Sequence, residues 1–153
     1  MDSIASLPAH PLIVHASVIL IPVAAISVLL ATVWPEFQRR AGRWPLGATT
    51  VAILLQVLTD ESGRSLQDAL GTDPAIERHA ELAHQLGNWL FFLFLASAVA
   101  TWLWRRQRSR AVPRALTACV ALLAVVASVG TLQQVVRVGH SGAQAAWEEP
   151  AEH

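Results

Sequence analysis

The sequence contains no lysine, and its charged residues make up only 14% of the chain. An average soluble domain carries about 25%, so this chain lacks the charge to cover a soluble surface. All 11 basic residues are arginine, and most adjoin apolar runs, which excludes a nucleic-acid surface. The single cysteine, Cys119, permits no intramolecular disulfide; placed mid-helix, it reads as a small buried apolar residue. Asp2 is the only charge before the first apolar run, so a cleavable secretory signal, which would begin with a basic segment, is not expected. The absence of C-x-x-C-H excludes covalent c-type haem. Ser17, Ser62 and Ser141 stand in no G-x-S-x-G setting, which leaves no case for a nucleophilic triad. Internal duplication, common in transporters, is also missing.

What the sequence has is length of apolar chain. Of its 153 residues 54% are hydrophobic, and one domain is the natural count at this size. Four apolar segments run over about Pro11–Trp34, Pro45–Thr59, Gln85–Trp104 and Pro113–Val136. A membrane-spanning helix needs about 17–25 residues, a length that the first, third and fourth segments reach. The second is short, and residues 60–70 can extend it as a polar helix. The expected fold is therefore all-α: an integral membrane four-helix bundle forming a single transmembrane domain over 1–153. A soluble extension covers 60–84, and a C-terminal tail covers 138–153. Pro22 lies inside the first segment and predicts a kink there.

The arginines set an orientation. Arg39, Arg40 and Arg43 follow the first segment, and Arg105, Arg106, Arg108, Arg110 and Arg114 follow the third, so eight of the 11 basic residues occupy two short connections. The positive-inside rule puts those connections in the cytoplasm. Both termini and the connection between the second and third segments then face outward, together with every acidic residue except Glu36. Trp34, Trp44, Trp102 and Trp104 form an aromatic belt at the same boundary as the arginines. Asp73-Pro74 is a helix start signal. From Pro74 to Trp104 a helix measures roughly 46 Å against a hydrocarbon core of about 30 Å, so the third helix is expected to project beyond the membrane. The chain is expected in a bacterial inner membrane as a multi-pass protein, with its histidine cluster on the outer face.

Five histidines, His10, His15, His79, His84 and His140, fall towards that outer side. Ionisable groups at membrane depth are costly and tend to be functional or paired. His10 and His15 are five residues apart, as are His79 and His84, which places each pair about 140° apart on a helix. Neither pair can chelate one ion alone, so a shared site needs several helices. His10 precedes Pro11 and is expected at an extended helix boundary. His15 lies one turn inside, among valines. His79 shares a face with Leu82, Ala83, Leu86 and Leu90 and is expected to look inward. His84 aligns with Glu77, Glu81 and Asn88, either a solvated stripe or a histidine oriented by Glu81. Gly139 and Gly142 flank His140-Ser141 and suggest a tight turn folding the chain back over the helices. Arg137 is expected to pair with Glu61 or with an anionic group such as a haem propionate.

Four blocks, HPLIVH at His10–His15, ESG at Glu61–Gly63, HAEL at His79–Leu82 and GHSGA at Gly139–Ala143, together resemble a bacterial four-helix membrane-protein family catalogued only as a domain of unknown function. The resemblance covers nearly the whole chain. It implies the same general plan and points to His10, His15, Glu61, His79 and His140; His84 lies outside the blocks. It implies no assigned activity.

Three functions follow from these residues. The first is electron transfer by a b-type haem, with His15, His79 or His140 as axial ligands and Arg137 nearby. The second is a zinc or iron centre of three histidines and Glu61, drawn from His10, His15, His79, His84 and His140. The third is a cofactor-free membrane subunit docking a partner protein. The expected partners are the lipid bilayer and a redox or membrane protein, with an oligomer open.

Overall fold

The computed structural model describes the backbone of residues 3–4, 7–70, 74–107 and 111–147, and the side chains of 13–65, 74–107 and 111–144. A two-residue pairing of β1 (Ser3–Ile4) with β2 (Leu7–Pro8) precedes five helices: α1 (Ala9–Val33), α2 (Pro35–Ala41), α3 (Trp44–Leu70), α4 (Pro74–Gln107) and α5 (Arg114–Trp147). The Asp73 cap, the tail beyond 147, Arg108 and Arg110, and the side chain of His10 fall outside the described residues.

Helices α1, α4 and α5 each contain a stretch long and apolar enough to cross a membrane. The α3 helix does not reach that standard, because its apolar part gives way after Thr59 to a polar one. It is sheltered instead by packing against α1 on one side and α4 on the other, while α5 likewise packs against both α1 and α4. Successive long helices run antiparallel, as the side-chain bonds at their two ends require. Ser17 meets Thr59 (2.9 Å) and Trp44 Nε1 donates to Ser27 (3.3 Å) between α1 and α3. Gln107 donates to Thr117 (3.0 Å) between α4 and α5.

The core is small in side chain and close in approach. Ala24, Ala25, Ala52, Ala124 and Ala127 meet Ile21, Val28, Leu86, Leu90 and Leu93; small residues let helix backbones come together where lipid offers no hydrophobic drive between helices. Trp89 of α4 lies over Gly130 of α5, where a side chain would collide with its ring. The outer surface is apolar: Ile19, Leu54, Phe91, Phe92, Leu122, Leu123 and Val136 are all exposed. A belt of that extent is far beyond what a soluble monomer shows, and it fits lipid.

Four local expectations change. Helix α1 begins at Ala9, so His10 is helical rather than extended; Pro11 falls in the first turn, where a missing N–H disrupts nothing. The connection after α1 is not irregular. Trp34-Pro35 starts α2, Glu36 pairs with Arg39 and with Arg40 (2.9 Å for Arg40), and Gly42 at φ 60° ends it. Helix α5 continues through Gly139 and Gly142 to Trp147 instead of turning at 138–142. Neither glycine takes a positive φ; Gly142 leaves room for His79, while Gly139 faces open space. Cys119 is exposed on α5: it occupies a lipid-facing position, not the core.

Candidate functional site at the histidine end

The continuation of α5 builds the site. Two of its residues, Ser141 and Val138, reach the α4 histidine that the helical phase turns inward. His79 is half-buried, and its Nδ1 stands 3.0 Å from Ser141 Oγ. Ser141 is buried and donates its own proton to the Val138 carbonyl at 3.0 Å. With that proton committed, Ser141 accepts from His79, which requires the Nδ1–H tautomer and leaves the Nε2 lone pair uncommitted to Ser141. Desolvation by burial holds His79 below its ordinary pKa, and the nearby Val138 carbonyl, which favours the charged form, opposes it less strongly. Gly142 completes the seat: a Cβ there would stand 3.0 Å from His79 Cε1.

One turn further along, α4 is gripped from both sides. Gln134 of α5, 2% exposed, donates to the Leu82 carbonyl at 2.9 Å. Gln56 of α3 donates to the next carbonyl, Ala83, at 3.1 Å and to Asp60 at 2.7 Å. Each carbonyl has a second lone pair beyond its helical bond, so neither grip breaks α4. Together they fix the rotation of α4 and thereby the direction of His79. Asp60 lies just past the apolar part of α3. Burial raises its carboxyl, while the Gln56 bond and then the charges of Arg64 and His84 oppose the rise.

The other expected residues are more open than His79. His15, His84 and His140 are exposed, as are Arg137 and Glu61. His84 continues the exposed stripe of Glu77, Glu81 and Asn88, and the carboxylate that feels its charge is Asp60. Glu61 pairs with Arg64 at 3.9 Å, not with Arg137. Among the described residues no three His, Cys, Asp or Glu side chains gather closely enough to hold a metal ion. A shallow cleft opens beside His79, lined by Pro74, Ala75, Arg78, Ser141 and Gln144. Arg78 is the cation in that lining, and Arg137, which the sequence placed near the site, is exposed on α5.

Residues missed from sequence are Ser141, Gln134 and Arg78. The first two carry a signal: Ala124, Ala127, Thr131, Gln134, Val138 and Ser141 recur at helical spacing, so a helix extended past Val136 puts all of them on one stripe. No curated protein and no solved structure matches the chain. A family model described as "Predicted membrane protein (DUF2231)" matches residues 6–152. Its span takes in α1 to α5 and every residue of the histidine end: the chain belongs to that family of membrane proteins, whose function is unknown.

Proposed function

We propose that this is a multi-pass protein of a bacterial inner membrane that binds haem b at its outer end and transfers electrons, with His79 Nε2 as an axial ligand to the iron. In this reading the four long helices act as one membrane bundle. The arginine-rich connections are cytoplasmic, and the termini and the α3–α4 connection lie outside. The observation that carries the proposal is the seating of His79. Histidines that ligate metals characteristically have their other ring nitrogen held by a hydrogen bond that fixes tautomer and orientation, and Ser141, itself tied to the Val138 carbonyl, does this here. A haem iron asks the protein for only one or two ligands, which suits a single ordered imidazole better than a three-ligand centre. His15 and His140 are the candidates for the second axial position, and Arg78 and Arg137 for pairing with propionates.

Visible spectra of protein purified from haem-replete cells, oxidised and dithionite-reduced, with metal analysis of the same sample, test the proposal. The expected result is a Soret band that is lost in His79→Ala and kept in His84→Ala. A colourless preparation refutes haem binding. Stoichiometric zinc or iron without haem transfers the site to a non-haem centre of three histidines, drawn from His10, His15, His79, His84 and His140, with Glu61.

A further inference from the structure

We propose that the opposite, arginine-rich end carries a binding site for an anionic glycerophospholipid, seated in a shallow cleft between the last turns of α4 and the start of α5. The cleft is lined by Trp102, Leu103, Arg106, Ala111, Pro113 and Leu116. Its parts match the parts of such a lipid in order. The Arg106 guanidinium lies 4.9 Å from the centre of the Trp102 ring, so a delocalised cation is held over an indole at the level where aromatic residues meet head groups. A guanidinium offers phosphate a planar fork of donors. Pro113 and Leu116 supply an apolar wall, and Leu116 is exposed on the same helix as lipid-facing Leu122 and Leu123. An acyl chain lying on that wall continues into the hydrophobic belt.

Charge selects the head group. No Asp or Glu occurs from Leu82 to Trp147, so this stretch brings Arg105, Arg106 and Arg114 to this end and adds no acidic residue of its own. Glu36 on α2 is engaged by Arg39 and Arg40. A head group that brings net negative charge gains from such a cluster about 1 kcal/mol per arginine near the surface, whereas a zwitterionic one cancels most of that gain.

The site is independent of any cofactor at His79. Its test is native mass spectrometry of the full chain in mild detergent, titrated with phosphatidylglycerol and, separately, phosphatidylcholine of the same acyl chains. Retention of phosphatidylglycerol over phosphatidylcholine is expected. Arg106→Gln should weaken it roughly fivefold, and Arg64→Gln at the other end should leave it unchanged. Leu116→Trp, which fills the acyl wall at an exposed position, should also weaken it, and serves if Arg106→Gln does not yield monodisperse protein. Equal retention of the two lipids, or indifference to both cleft substitutions, overturns the proposal. Inorganic phosphate competing as well as the lipid does the same, because the site would then be one for a free anion.

Discussion

Three glycines on α5 allow one substitution to be read in three environments. Glycine to alanine inside a helix gains about 0.5–1 kcal/mol, because alanine has less backbone freedom to lose on folding. At Gly139 a new Cβ meets nothing within 4 Å, so the whole gain is expected. At Gly142 it would stand 3.0 Å from His79 Cε1 and 3.4 Å from Nδ1. The ring must then retreat from α5, loosening its bond to Ser141, and a lost hydrogen bond costs about 0.5–1.5 kcal/mol. The two effects offset, and Gly142→Ala should match the wild type in stability. At Gly130 the Cβ would overlap Cζ3 and Cε3 of Trp89, and overpacking of this kind costs about 1–3 kcal/mol. The entropic gain is common to the series, so Gly130→Ala should fall below Gly139→Ala by that same margin of about 1–3 kcal/mol. Unfolding of the full chain in mixed micelles, titrated with sodium dodecyl sulfate and followed by far-ultraviolet circular dichroism, measures the ranking. Equal stability of Gly130→Ala and Gly139→Ala would refute the α4–α5 packing described above.

Two further substitutions test the polar groups. Ser128 is fully buried and its hydroxyl has no hydrogen-bond partner among the described residues; an unsatisfied buried group costs about 1–3 kcal/mol. Ser128→Ala should therefore raise stability in the same unfolding assay, and a loss of about 1 kcal/mol or more would show that the hydroxyl has a partner. The pH dependence of the cofactor-free protein reports on His79. Its folded-state pKa lies below the ordinary value of 6.5, so the unfolded chain binds the extra proton in the interval between the two. Stability is complete above that ordinary value, declines as the pH falls through it, and levels off beneath the folded-state value. Unfolding midpoints measured from about pH 8 to about pH 5 should show this decline in the wild type and a flatter profile in His79→Gln; identical profiles would contradict the burial of the ring.

How much of this was legible in the sequence depends on what kind of signal each feature left. Segment length picked out the three helices long and apolar enough to span, because hydrocarbon thickness acts on whole stretches of chain. Helical phase turned His79 inward correctly, since its stripe continues into buried Leu86 and Leu90. The two glycines beyond Val136 misled, because glycine is compatible both with a turn and with close approach of helices. Only the position of α4 tells which one applies: Gly142 faces the His79 ring. That choice in turn decided where Ser141 points. Cys119 misled for a related reason, since a small apolar residue in a lipid-exposed helix has no preference between core and lipid. The grouping of histidines at one end was visible in the sequence; which of them face a neighbouring helix depends on inter-helix geometry, which sequence spacing does not encode.

The polar side chains inside the helices divide by reach, and this division explains how one end is ordered. Thr32 and Thr131 return their hydroxyl protons to the carbonyl four residues back on their own helix, so they satisfy themselves without a neighbouring helix. A glutamine is long enough to leave its helix. Gln56 and Gln134 come from helices on two sides of α4 and take carbonyls one residue apart on it. Rotating α4 about its axis would take the acceptor from one buried N–H of each amide, leaving Gln56 only its bond to Asp60, at the penalty of an unsatisfied polar group. Sliding it by one residue would exchange the acceptors without satisfying both donors. The register of α4 is thus determined within one turn of His79, by groups that themselves carry no chemistry. Any ligand held by that imidazole would meet a ring whose position is set by α3 and α5 rather than by the ligand, and this is the pre-organisation a histidine-ligated cofactor requires.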